Sequence, residues 1–342
     1  MRRAAVLLML AVVVGVLGCQ AAVAKAPDFY SSAEILKWIN DYRTAPNPER
    51  AADAIHRLSK LGELRNPESA GVYLGFAAGI LAANPGKADA LVAKMLPMPA
   101  EDQWFVVRAV AYSGVPRWRF VLARIRPRVP ARAAMLQKYL KGSLPVLAQY
   151  RLEAEKPGWF SRNFSFGKQK AKPVVLEASP DLLDTFWGYY YATGARMPVE
   201  NIIGMLTWSE NKDDTEKLTL GGMAKYTLAS NASRDPALLA MIKAIQPSQP
   251  KDVQPPLKEV IEAADDVNVS RIRRDMLASL DTLRRNGPQS RRNISWWGHV
   301  GEGALAAGCI AAAIAGQIQL GIPCVVGGAV ASGGLKLWST SE

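Results

Sequence analysis

The chain has little of the chemistry that metal binding or covalent catalysis draws on. Its 342 residues include three cysteines and two histidines, too few for a disulfide framework or for a metal site built on imidazoles. His56 and His299 stand far apart in the sequence, and both read as structural. There is no Gly-x-Ser-x-Gly elbow and no Walker loop, which leaves hydrolase and nucleotide chemistry without a motif. Nothing points to a cofactor. Strand signals are scarce as well, since no sustained alternation of β-branched and polar residues runs between tight turns. Acidic side chains are missing from the fifty positions between Asp102 and Glu153.

What is present looks globular. Apolar residues make up 49% and charged residues 21%, which excludes wholesale disorder and a collagen-like chain. The formal charge of +12 points to anionic partners. That excess is local, because residues 101–175 hold 15 Lys and Arg against 4 Asp and Glu. Arg108, Arg117, Arg119, Arg124, Arg126, Arg128 and Arg132 accumulate beside Trp104, Phe105 and Trp118. Across 101–150 the simplest reading is a solvated basic face over aromatic core residues. Residues 156–173 read differently, because Trp159, Phe160, Phe164 and Phe166 stand in an aperiodic segment with Arg162, Lys168, Lys170 and Lys172. Aromatics at an interface with cations over lipid phosphates would bind an anionic membrane, at roughly 1 kcal/mol per basic side chain. Arginines with aromatics can also grip single-stranded nucleic acid, but no helix-turn-helix, OB or RNA-recognition signature supports that partner.

The N-terminus reads as an export signal over residues 1–18. Arg2 and Arg3 precede an uncharged aliphatic core from Ala4 to Leu17, shorter than the roughly 20 residues of a spanning helix. It ends in Val16-Leu17-Gly18-Cys19, which resembles the bacterial lipobox with Val16 where leucine is usual. The resemblance implies acylation of Cys19 and cleavage before it. Several acyl chains on one residue anchor stably where one does not. Gln20 is not the aspartate linked to inner-membrane retention, so the resemblance implies the periplasmic face of the outer membrane. Ala22-Val23-Ala24 also suits an ordinary signal peptidase, leaving a soluble periplasmic product as the other outcome.

The body reads as all-α. Asn47-Pro48, Asn66-Pro67, Asn84-Pro85, Ser179-Pro180 and Asp235-Pro236 each place a capping side chain before a proline, the pattern of a helix start. Ser31 and Glu34 have capping-box spacing ahead of a helix over Ile35–Arg43. Apolar residues follow at helical spacing, as in Ala54, Ile55, Leu58 and Leu61, or Leu238, Leu239, Ile242 and Ile245. The cap intervals resemble HEAT-type or tetratricopeptide-type repeats in architecture, and an irregular helical bundle fits equally. The expected organisation is a helical unit over 19–155, the basic aromatic loop 156–173, a second helical unit over 174–245, an extended proline-rich linker at 246–256, charged helices over 257–292, and an apolar tail over 293–342. In that charged segment Glu259, Glu262, Asp265 and Asp266 read as a solvated face, while the run Phe186, Trp187, Tyr189, Tyr190 and Tyr191 reads as interhelical core or, failing that, a ligand groove.

The tail holds no charge from Gly303 to Leu335, and Gly321-Ile322-Pro323 breaks it into two arms. Small residues at four-residue spacing, Gly308, Ala312 and Gly316 among them, let two arms pack as a Gly/Ala-rich helical hairpin resembling the glycine zippers of some envelope lipoproteins. Cys309 and Cys324 would then face each other, either as a disulfide worth roughly 3 kcal/mol in an oxidising compartment or as two buried thiols. The expected function is binding or scaffolding at the cell envelope, with the membrane and an unidentified envelope protein as partners. An envelope enzyme acting on peptidoglycan or lipid is the alternative. Glu68-Ser69 followed by Gly71 resembles the start of the lytic transglycosylase motif, but the continuation of that motif is missing. A protein that inserts its tail into a membrane is a third reading.

Overall fold

The computed structural model describes residues 29–152, 174–211 and 214–265. Among them run twelve helices: α1 (Ser32–Asp41), α2 (Ala51–Leu61), α3 (Gly71–Ala83), α4 (Ala88–Met95), α5 (Gln103–Tyr112), α6 (Trp118–Ile125), α7 (Ala133–Leu140), α8 (Pro180–Thr193), α9 (Arg196–Gly204), α10 (Thr215–Ala232), α11 (Pro236–Ile245) and α12 (Gln254–Asp265). The fold is all-α. Two residues of β1 (Tyr150–Arg151) pair in parallel with two of β2 (Leu176–Glu177), on either side of the 153–173 segment. A strand pair this short leaves no periodic trace in the sequence.

Local capping chemistry starts some of these helices as expected. Ser31 Oγ accepts the Glu34 N–H at 3.3 Å, and Glu34 accepts the Tyr30 N–H at 2.8 Å, one residue upstream of a strict capping box. The first helix consequently begins at Ser32, three residues before the expected Ile35. Asp235 caps α11 by accepting the N–H groups of Ala237 and Leu238, both at 3.1 Å. The asparagine–proline starts behave differently. Pro48–Arg50 and Pro85–Lys87 are single 3₁₀ turns that lead into α2 and α4, with no side-chain cap from Asn47 or Asn84. Asn84 instead donates to the Ile80 carbonyl at 2.9 Å, closing the end of α3. Asn66 accepts the Glu68 N–H at 3.0 Å in a turn, and the helix waits until Gly71.

Alternate helices stack in two rows, with α2 on α4 on α6 and α3 on α5 on α7. The most extensive contact joins α3 to α8 across the long 84–179 separation. Helix α3, GVYLGFAAGILAA, has no polar stripe and is buried along nearly its whole length. It lies against α8 at backbone distance, because glycine leaves out the side chain at each crossing point. A Cβ on Gly75 would stand 1.8 Å from the Thr185 carbonyl oxygen, one on Gly71 2.3 Å from that of Asp181, and one on Gly188 2.0 Å from that of Val72. Side chains from both sides of the 153–173 segment belong to one hydrophobic cluster, which includes Phe76, Phe105, Leu122, Phe186, Trp187, Leu238 and Leu257.

The 246–256 stretch is not an extended linker. Gln246–Ser248 form a 3₁₀ turn, Val253 is buried, and α12 begins at Gln254 with Pro255 and Pro256 in its first turn. Proline is compatible with a helix start because the N–H it lacks has no intrahelical partner there. The leader with Cys19, the loop aromatics and lysines from Trp159 to Lys172, Asp266, His299, the tail, and Cys309 with Cys324 all lie outside the described residues. Among the described residues no helix is long and apolar enough to cross a membrane.

Candidate functional site

Several sequence candidates prove to be core. Trp104 and Phe105 are buried on α5, and the Trp104 indole N–H donates to the Leu64 carbonyl at 2.9 Å. The aromatic run of α8 forms no groove. Phe186, Trp187, Tyr190 and Tyr191 are buried, with Trp187 donating to Thr227 Oγ1 at 3.0 Å and Tyr191 to Asn231 Oδ1 at 3.0 Å. Tyr189, half-buried, donates to the Ser113 carbonyl at 3.2 Å. Period 3.6 spreads five adjacent aromatics around the helix, and α8 accommodates them by packing against α1, α3 and α9 together. The His56 ring nitrogen Nε2 lies 3.0 Å from the Met95 carbonyl oxygen, a structural role. Glu68 is exposed in the turn before α3. The acidic residues of α12 are ion-paired: Glu259 with Lys225 at 2.6 Å, Asp265 with Lys243 at 2.7 Å, and Glu262 with Lys258 at 3.7 Å. Among the described residues no group of histidine, cysteine and carboxylate side chains is placed to hold a metal ion.

Burial in this core has a titration consequence. Loss of solvation pushes the phenols of Tyr73, Tyr112, Tyr139, Tyr150, Tyr190 and Tyr191 above their ordinary value of 10.0. A group whose folded value is raised supports the fold fully below its unfolded value, and that support is lost as pH rises through the folded one. The protein is therefore expected to stay folded up to about pH 10 and to unfold above it. The tyrosinate absorbance of these six and far-ultraviolet circular dichroism should change together, and their ionising while the helices persist would contradict this burial.

The outward face of α6 carries exposed cations beside aromatic rings. Val121, Leu122 and Ile125 face the core, which leaves Arg117, Arg119, Phe120 and Arg124 exposed. Phe120 is 47% exposed, one of four large apolar side chains left in solvent among the described residues. The Arg117 guanidinium lies 4.5 Å and that of Arg124 5.8 Å from the centre of its ring, and Arg119 stands 4.4 Å from the Trp118 ring. Such cation–π contacts hold guanidinium groups in place without neutralising them.

The seven arginines divide by role. Arg128 donates to the Ala93 and Leu96 carbonyls at 3.1 and 2.9 Å, closing the end of α4, and Arg132 donates to the Glu101 carbonyl at 3.0 Å. Arg108 lies against Trp104, its charge centre 5.1 Å from the ring. Arg124 has a solvent-exposed contact with Asp89 at 3.4 Å. Among the described residues no carboxylate pairs with Arg117, Arg119 or Arg126, nor with nearby Lys138 and Lys141. Sequence reasoning singles out these arginines with Trp118 but passes over Phe120. The missed signal is the Arg117–Phe120–Arg124 spacing of three and four residues on a helix whose apolar stripe is already complete at Val121, Leu122 and Ile125.

The chain matches no protein-family model, no curated protein and no solved structure.

Proposed function

We propose that this chain is an exported, lipid-anchored helical protein of the bacterial cell envelope that acts by binding, held at the periplasmic face of the outer membrane through Cys19. The observation that carries this reading is the leader: two arginines, a short aliphatic core and Val16-Leu17-Gly18-Cys19. Two further features support a contact function. One is the concentration of positive charge between Asp102 and Glu153, part of which is displayed on α6 and its two ends with aromatic side chains. The other is the basic aromatic segment 156–173, whose cations and rings suit an anionic membrane surface. An envelope protein seated on the body would be the second partner.

Labelling of growing cells with palmitate, followed by fractionation, tests the proposal. The chain should take up label and sediment with membranes, and Cys19→Ser should abolish the label. Recovery of the full-length, unprocessed chain from the soluble cell interior would overturn it. The uncharged run from Gly303 to Leu335 favours one second reading, a membrane-perturbing protein, which dye leakage from vesicles treated with the full chain would reveal.

A further inference from the structure

We infer that the outward face of α6 is a docking surface for anionic phospholipid, with Phe120 as the apolar contact and Arg117, Arg119, Arg124 and Arg126 as the groups that meet lipid phosphates. This deepens the envelope reading and takes its setting from it.

The first argument is chemical. A guanidinium presents a planar fork of donors that fits a phosphate, and it is more weakly hydrated than an ammonium. Arg117 and Arg124 flank the exposed Phe120 ring, so an interfacial aromatic and its cations form one unit rather than scattered surface charges. Among the described residues most of these cations also lack a carboxylate that would compete with phosphate. Arg117, Arg119 and Arg126 have none among the described residues, and the single acidic neighbour, Asp89, meets Arg124 through a solvent-exposed contact that contributes little. Lys225, Lys243 and Lys258, by contrast, are each matched by a carboxylate of α12.

The second argument is reach. Phe29 and Tyr30, where the described chain begins, are held beside α2: the Arg50 guanidinium stands 3.9 Å from the Phe29 ring centre, and Arg57 donates to the Tyr30 carbonyl at 2.5 Å. In the α2–α4–α6 row, α6 is two helices away, about 20 Å at usual interhelix spacing. The chain between Cys19 and Phe29 can extend to about 35 Å. An acyl group at Cys19 can thus sit in the bilayer while α6 lies on the same leaflet. Tethering raises the local concentration of the surface, so modest contacts suffice to orient the body.

The test uses the full chain carrying Cys19→Ser, so that no acyl group contributes. Binding is compared on vesicles of phosphatidylcholine alone and of equal parts phosphatidylcholine and phosphatidylglycerol. The chain should bind the anionic vesicles, and Arg117→Gln with Arg119→Gln and Arg126→Gln should weaken that binding about a hundredfold. Phe120→Ser should weaken it by a smaller factor, and the matching Arg→Lys triple variant should fall between the parent and the Gln triple. A control that removes equal charge elsewhere, Lys37→Gln with Lys60→Gln and Lys251→Gln, should bind nearly as the parent does. Thermal melting confirms that each variant is folded, and Phe120→Ser alone decides the matter should the triple variant fail to fold. Unchanged binding in the α6 variants, an equal loss in the control, or a loss confined to a single-stranded oligonucleotide probe would each overturn the inference. A cytosolic, unprocessed chain would defeat the export reading alone, because the difference between the parent and the α6 variants on vesicles reads the α6 face whatever the 156–173 segment contributes.

Discussion

Replacing Gly75 with alanine is expected to lower stability by about 3 kcal/mol or more, at or beyond the upper end for an overpacked core. The added Cβ would stand 1.8 Å from the Thr185 carbonyl oxygen and 2.6 Å from its carbon. These are backbone atoms of α8, so no side chain can rotate away. Relief requires the two helices to separate, and Gly71 and Gly188, seated just as closely along the same seam, would then lose their contacts too. A loss of that size lowers the melting temperature of a chain this long by about 5 °C. Gly222→Ala on α10 is the matched comparison, because its Cβ would meet nothing within 4 Å. There, alanine's better helix propensity should raise stability by about 0.5–1 kcal/mol. Opposite signs from the same chemical change identify close approach, rather than glycine content, as what the α3–α8 contact needs. Equal effects would contradict it.

Asp235→Ala should have the next largest effect, about 3 kcal/mol. The carboxylate caps α11, accepts the Tyr190 hydroxyl at 2.9 Å and pairs with Arg43, whose guanidinium also lies 4.5 Å from the centre of the Tyr190 ring. One side chain thus ties the turn after α1 to α8 and α11. Removing it takes away the cap and leaves Arg43 partly buried without its counter-charge. Burial alone would raise the carboxyl's value, but the bonds from the Leu238 N–H, Tyr190 and Arg43 outweigh it and hold the group below its ordinary 3.8. A depressed value supports the fold above the unfolded value, and that support is lost as pH falls through the folded one. The Asp235→Asn variant would keep the cap and lose the charge. In melting curves, the advantage of the native protein over Asp235→Asn should be full at neutral pH and shrink as pH drops below about 4. A gap that stays constant into acid would show that the charge contributes nothing.

What is legible in the sequence is chiefly local. Ser31 with Glu34 and Asp235 with Pro236 announce helix starts because a short polar side chain reaches its own first turn. Ala54, Ile55 and Leu58, with Leu238, Ile242 and Ile245, are buried as their spacing implies, although Leu61 at the end of α2 is exposed. Other features depend on partners distant in sequence. Gly71, Gly75 and Gly79 recur every fourth residue, yet inside a wholly apolar run they resemble filler until Gly188 is brought against them. Asn47 and Asn84 have the composition of caps but precede 3₁₀ turns, since proline sets φ without deciding which carbonyl the next N–H will choose. The Pro255-Pro256 pair suggests an extended linker because composition does not reveal that Val253 is buried beside it. On α6, the arginines are visible as charge, but their division between helix-end carbonyls and open solvent follows from tertiary packing.

The α3–α8 seam also bears on how the polypeptide comes to be folded at all. During synthesis the greasy thirteen-residue helix emerges first, and its glycine-matched mate follows only after the chain from Asn84 to Ser179 has been made. Contacts this non-local slow the search for the native state. An early-made segment with no hydrophilic side must meanwhile be kept from aggregating. Delivery to a compartment as an unfolded thread, with docking postponed until both segments have arrived, would suit such a topology.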